Sequence, residues 1–414
     1  MIELSTLTER YEVFRKQGLK LDMTRGQPSD ENFDLSNSMM TIVDENDVVT
    51  PSGVAVRNYG GGINGLAEVR ELCASILRVR PEETLVGNNA SLELMSHVLT
   101  WALLRGLKDS PKPWSKGHPK MIVTVPGYDR HFHLLDTLGY EMVPVGIDEN
   151  GPDMDAVEQQ AMSDPDIKGI YFVPTYSNPT GGTISDENVK RLASLNAAAS
   201  DFTIFADDAY TIHHLTDQPS VPLNFLEACK ATGNPDRVYI FGSTSKVTLA
   251  GAGLGFMATS EANLAYIGKL LSAQTIGPNK IEQYRHVKFL NQYEGGLFGL
   301  MCDHANILKP KFDAVQRVLS EELGDQDLAT WADPKGGYFI NLDTKHPVAD
   351  RVVALAKDVG VALTPAGATY PFGKDPNNSN IRIAPTRPPL AEVEEAMKVL
   401  ALCIQLASAE YLNG

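Results

Sequence analysis

The residues able to do chemistry stand just past the ends of short apolar runs. VYIFGSTSK closes on Ser243, Ser245 and Lys246, and FTIFADDAY on Asp207, Asp208 and Tyr210. GIYFVPTYSNPTGG carries Asn178-Pro179-Thr180-Gly181, and MIVTVPGYDRHF sets Tyr128 beyond its last valine. A lysine amine condenses with an aldehyde to give an imine, and once displaced it can serve as general acid and base. Each motif alone has an ordinary explanation: N-P-T-G is a turn, an Asp pair caps a helix, and S-x-S-K is common. Four in series, each past a strand-like run, point to one site.

Bringing them together requires a sheet. From about residue 84 to 260, the runs MIVTV (121–125), EMVPV (141–145), GIYFV (169–173), FTIFA (202–206), VYIFG (238–242) and LGFMA (254–258) alternate with amphipathic stretches. That alternation predicts a mostly parallel sheet flanked by helices, with ligands bound beyond the C-terminal ends of its strands. The stretch from Ser91 to Leu107 is one such helix, with Leu92, Met95, Val98, Leu99, Ala102 and Leu103 on a single apolar face. Past residue 310, KGGYFINLD (335–343) and NIRIAP (380–385) read as strands of a smaller α+β unit, closed by a helix from about Leu390 to Ala409. The first 45 or so residues have no core of their own. The expected organisation is a large domain over 46–310 and a smaller, discontinuous one over 1–45 and 311–414, in line with a chain of 414 residues.

Composition narrows the function. The net charge is −16, from 36 basic against 52 acidic residues, which argues against nucleic acid as a partner. An anionic ligand would have to be captured by a local basic site. No run approaches the roughly 20 apolar residues of a membrane span, and MIELSTLTERYEVFRK lacks the pattern of a signal peptide. Cysteines 73, 229, 302 and 403 show no C-x-x-C pairing, so the expected setting is a reducing cytoplasm, without disulfide or zinc. No H-x-x-x-H spacing occurs and no metal is expected; His131 and His133 read as helix or surface residues. GGGING (60–65) fits G-x-G-x-x-G, but VAVRNY before it is a poor strand, so a Gly-rich loop ahead of a helix fits better than a dinucleotide turn.

With these motifs in order, the chain resembles the fold-type-I pyridoxal 5′-phosphate (PLP) enzymes, in particular the class I aminotransferases. RGQPS (25–29), RNYGGGINGLAE, GNNASLEL, SKVTLAGAG, PKGGYFINL and IRIAPT carry the likeness over most of its length. They are most similar to a divergent branch of aspartate aminotransferases related to the aminotransferase-like domain of MocR-type regulators. The resemblance implies an α/β fold, with a mostly parallel seven-stranded sheet in the large domain and a smaller α+β domain. It implies PLP bound to Lys246 as a Schiff base, with Asp207 holding the ring nitrogen protonated. Tyr210 and Asn178 would donate to the ring oxygen, Tyr128 would stack on the ring, and Asp208 would cap a helix or be solvated. The phosphate would rest on the amides of Asn88, Asn89 and Ala90 before the Ser91 helix, with Ser243 and Ser245 beside it.

Relatives often place an arginine about eight residues after the lysine, where this chain has Leu254. Arg382 matches the arginine that grips the substrate α-carboxylate, a task its fork suits. Arg25, Arg285 and Arg387 are candidates for a distal carboxylate. Tyr59, in the Gly-rich segment, would cross to the neighbouring subunit of a homodimer with shared active sites. The implied reaction is ping-pong transfer between an amino acid, aspartate by the likeness, and 2-oxoglutarate. The rivals are another PLP outcome (C–S lyase or decarboxylase) and a PLP-binding regulatory domain.

Overall fold

Short β-branched and aromatic runs, each bounded by Gly, Pro or Asp, form the strands that their composition favours. The computed structural model describes residues 3–414. In chain order the strands are β1 (Leu21–Met23), β2 (Thr84–Val86), β3 (Lys120–Val125), β4 (Glu141–Asp148), β5 (Gly151–Pro152), β6 (Ile167–Phe172), β7 (Thr203–Asp207), β8 (Val238–Ser243), β9 (Gly255–Ala258), β10 (Ala329–Trp331), β11 (Ile340–Thr344), β12 (Val361–Leu363) and β13 (Asn380–Ile383). The main sheet runs β2-β9-β8-β7-β6-β3-β4-β5. Strands β8, β7, β6, β3 and β4 are mutually parallel, while β9 opposes both its neighbours. The expected seven strands gain an eighth, because the chain folds back after Asp148 and pairs β5 with β4 over two residues.

Both faces of this sheet are covered. Ile122, Ile170, Phe172, Ile204, Ala206 and Ile240 point into one apolar layer, and Met121, Val123, Tyr171, Phe205, Tyr239 and Phe241 into the other. Alternate residues of each strand thus feed opposite cores, which is why the runs read as continuously apolar. The helix Ser91–Arg105 lies on the second face through Leu94, Met95, Val98, Leu99 and Ala102.

The second body of structure is the antiparallel sheet β10-β11-β13, beside which β1 and β12 pair in parallel. Its core joins Leu7, Tyr11 and Met23 to Ile340, Leu342, Ile381 and the buried face of the helix Leu390–Asn413. The N-terminal helix Leu4–Gln17 is tied there by Tyr11 Oη, which donates to Asp358 Oδ2 at 2.8 Å. Met39 packs elsewhere, with Val247, Phe289, Leu290 and Leu300. Among the described residues, no helix is long and apolar enough to cross a membrane.

Candidate active site

The parallel register sets the C-terminal ends of β6, β7 and β8 side by side, with Asp207 opposite Phe241. Lys246 follows β8, and its Nζ lies 5.2 Å from the ring centre of Tyr210 and 5.8 Å from that of Tyr338. Burial lowers the pKa of this amine, and the charge of Asp207 opposes that shift. Asp207 is buried, and its Oδ2 accepts from His131 Nε2 at 2.8 Å. His131 is stacked on Tyr171 at 3.8 Å between ring centres, with Tyr128 edge-on at 5.0 Å. His131 is therefore no surface residue: it lies on the helix Asp129–Leu138, three positions past Tyr128, and orients the Asp207 carboxylate.

Asn178 is buried on the loop after β6, where its Oδ1 accepts from Arg382 Nη1 at 3.3 Å. That contact turns Nδ2 the other way. Neither Asn178 Nδ2 nor Asp207 Oδ1 has a partner. Burial pushes the Tyr128 phenol up to about 12 and raises that of Tyr210 well above its ordinary value, so both are protonated donors at neutral pH. Asp208 corrects the expectation of a solvated cap. It is buried, its amide donates to Phe241 O at 2.8 Å, and burial lifts its carboxyl to about 6.

The second rim is the loop Gly87–Ala90. Gly87 donates to Gly255 O at 2.8 Å and Gly255 to Asn88 O at 2.7 Å, which straps the loop to β9. A Cβ on Gly255 would fall 2.4 Å from the carbonyl carbon of Ala90, so only glycine allows this approach. No side chain caps the helix that begins at Ser91, so its first amides have no side-chain acceptor. Asn88 and Asn89 line a cavity of about 420 Å³ together with Gly251–Leu254, Asn279, Glu93 and Glu282, a lining without Lys or Arg. Ser243 Oγ is 2.7 Å from Ser245 Oγ and accepts from Ser245 N at 3.0 Å. Leu254 is buried at the edge of that cavity, held in register with Thr244 by hydrogen bonds at 2.8 and 2.7 Å, and its apolar side chain offers an anion no charge. Tyr59 is 78% exposed, in a segment braced by Lys280 Nζ on Gly60 O at 2.9 Å.

Arg382, on β13 opposite Asn341, is buried with its guanidinium 4.9 Å from the centre of the Phe339 ring. Its Nη1 donates to Asp129 Oδ1 at 2.9 Å and to Asn178, while Nε has no partner. Asp129 carries no signal of this role in the sequence, since only the fold brings that carboxylate across. Gly26 presses on the tip of the Phe339 ring, where a Cβ would lie 2.3 Å from Cζ, and neighbouring Arg25 is exposed. The other two arginines are engaged elsewhere, Arg285 with Glu282 at 2.9 Å and Arg387 with Asp22 at 3.6 Å.

An orphaned acceptor, an orphaned donor, an enclosed lysine and an uncapped helix are what PLP demands: a partner for the ring nitrogen, one for the ring oxygen, an imine-forming amine and a phosphate cradle. The residues fit the cofactor. Among the described residues there is no His, Cys, Asp and Glu cluster able to hold a metal.

Comparison with known proteins agrees. The family described as Aspartate amino-transferase matches residues 3–414. An aspartate aminotransferase of Corynebacterium glutamicum is 42% identical over 406 residues, spanning 98% of this chain and 93% of that one. The crystal structure of an aspartate transaminase from C. glutamicum superposes with a TM-score of 0.95 at 41% identity, covering 99% of this chain and 96% of the other. The fold extends to Thermus thermophilus α-aminoadipate aminotransferase, complexed with a phosphopyridoxyl-leucine, at a TM-score of 0.77 and 22% identity over 95% of this chain and 94% of that one.

Proposed function

The chain belongs to the PLP-dependent class I aminotransferases, and on that premise we propose that it moves an amino group between L-aspartate and 2-oxoglutarate by a ping-pong course. The observation that carries this reading is Arg382, a buried guanidinium fixed at Nη1 by Asp129 and Asn178 with its Nε unpartnered. A carboxylate can take the free edge of that fork. The name of the C. glutamicum relative supports aspartate. So does exposed Arg25, which is joined through Gly26 and Phe339 to Arg382 and is available to a distal carboxylate.

The bound cofactor supplies an electron sink for the bond broken at the substrate Cα. Lys246 holds the cofactor through Nζ and, once displaced, keeps and moves the Cα proton at that atom. Asp207, oriented by His131, holds the proton of the ring nitrogen. Tyr210 and Asn178 Nδ2 would donate to the ring oxygen, and Tyr128 would stack on the ring. The amides of Asn88–Ala90, with Ser243 and Ser245, would hold the phosphate.

Two further assignments belong to the same reading. Residues 46–310 form the large domain, and 1–45 with 311–414 the smaller one. The working form is a homodimer, in which a second copy covers the exposed Tyr59, Ile276 and Phe298 and brings its own Tyr59 to this phosphate site. Its free cysteines suit a reducing cytoplasm.

The test is kcat/KM for aspartate, glutamate, alanine, phenylalanine and kynurenine, each with 2-oxoglutarate. Aspartate should lead and alanine should fall behind, because alanine brings no second carboxylate to Arg25. A neutral or aromatic donor in first place would overturn the aspartate assignment.

A further inference from the structure

Lys246 rides on a single helical turn that the chain does not continue. Val247 and Thr248 donate to Thr244 O at 2.8 and 2.9 Å, after which the helical course ends. In a longer helix the carbonyls of Lys246 and Val247 would accept from amides four residues on; here they are left over. Side chains from distant elements take them. His304 Nε2 donates to Val247 O at 2.9 Å, while His213 Nε2 and Tyr338 Oη approach Lys246 O at 3.4 and 3.3 Å.

The protonation of His304 follows from its partners. A carbonyl only accepts, so the proton is on Nε2. Asn32 Oδ1 accepts from Ser29 N at 3.0 Å and Ser29 Oγ at 2.8 Å, which leaves Asn32 Nδ2 to donate to His304 Nδ1 at 2.9 Å. A second proton on Nδ1 would meet the hydrogens of that amide. Burial lowers the pKa of His304 and favours the same neutral ring. Asn32 is 0% and His304 1% exposed, so no solvent can replace either bond.

The chain of contacts is therefore continuous. It begins at Ser29, the end of the segment whose Gly26 touches Phe339, the ring that Arg382 lies against, and it ends on the turn that carries Lys246. We infer that His304, held by Asn32, is a positioning residue for Lys246. By gripping Val247 O it fixes the direction in which the lysine leaves its turn, and through Asn32 and Ser29 it ties that direction to the seating of the 25–29 segment. The inference rests on Lys246 being the cofactor-bearing lysine.

The test uses full-length, PLP-loaded His304→Phe, His304→Gln and Asn32→Asp proteins. Phenylalanine fills the space without a donor, whereas the glutamine amide can still reach Val247 O. Aspartate keeps the Ser29 contacts but demands a proton on His304 Nδ1. The readouts are the pH titration of the lysine-bound cofactor's absorbance, the split between kcat and KM, and acetic anhydride labelling of Lys246 in the cofactor-free chain. His304→Phe should lower kcat about 10-fold to 100-fold with little change in KM for the amino acid, the cost of a misplaced reacting group. It should also shift the spectral midpoint by about half a pH unit or more and speed the labelling of Lys246. His304→Gln should recover most of each, and Asn32→Asp should shift the midpoint as well. Should His304→Phe not fold, Asn32→Asp carries the same readouts.

Variants that lose only thermal stability, with midpoint, kcat and labelling unchanged, would overturn the inference. A reduced cofactor adduct found on another lysine of the unaltered protein would instead overturn the assignment of Lys246 itself.

Discussion

The two rims of the candidate site are built on different terms. On the Lys246 rim nearly every polar group is matched within the chain: Asp207 by His131, Asn178 by Arg382, Val247 O by His304. Asp207 Oδ1, Asn178 Nδ2 and Arg382 Nε are among the atoms left over there, buried and unpartnered. On the Gly87–Ala90 rim the groups face outward: an uncapped helix, a cavity without a basic residue, and Tyr59 78% exposed nearby. The first rim is preorganised by one chain, where electrostatic effects on a reacting group are strongest. The second awaits an anion and, on the proposed reading, a second copy. Chemistry should therefore fail when the first rim is altered, and cofactor retention when the second is.

That contrast orders the expected effects. Lys246→Ala should remove turnover, a loss of at least about 10⁴-fold measured by coupled assay, since both the covalent anchor and the acid–base group are gone. Asp207→Ala should cost about 10²–10³-fold in kcat, because electrostatic support of the cofactor is lost. On the outer rim, Tyr59→Phe and Ser243→Ala should each weaken PLP affinity about 3-fold to 10-fold, as one neutral hydrogen bond does, with kcat at saturating PLP nearly unchanged. Equilibrium dialysis separates the two classes. A Ser243→Ala protein that loses kcat but not affinity would break the division between the rims.

The last expected effect lies behind the inner rim and falls on stability, not on turnover or cofactor affinity. Burial pushes His213 down to about 3 and His286 down to about 4, so both are neutral in the folded chain. An unfolded histidine takes up its proton near pH 6.5. As pH falls from about 6.5 toward 4 the unfolded chain binds protons that the folded chain does not, and stability drops, each ring contributing up to about 1.4 kcal/mol per pH unit. His286→Gln should flatten that acid limb in urea unfolding at about pH 7 and pH 5. An unchanged slope would mean that the ring is already charged in the folded state.

The strands and the order of the motifs were legible because local composition encodes both: apolar β-branched runs make the sheet, and the chemical residues follow them directly in sequence. Gly151–Pro152 escaped because a two-residue strand has no periodicity to read. Leu254 is legible by its spacing alone, and in the structure it is a buried apolar side chain just ahead of β9. His131 could have been found, since it follows Tyr128 by three residues on a helix and so shares its face. The reading as a helix or surface residue holds for the helix, while the carboxylate partner Asp207 comes from another element. Asn32 and His304 are 272 residues apart, and Asp129 meets Arg382 across 253; contacts of that separation exist only once the chain is folded.

The central claim is that Lys246 is the residue on which this chain holds PLP. Borohydride reduction of the PLP-loaded protein, followed by proteolysis and mass mapping, tests it without reference to any substrate. The account predicts one phosphopyridoxyl adduct per chain, on the peptide containing Lys246, and none in Lys246→Ala. An adduct on any other lysine, or an undiminished adduct in Lys246→Ala, would contradict it.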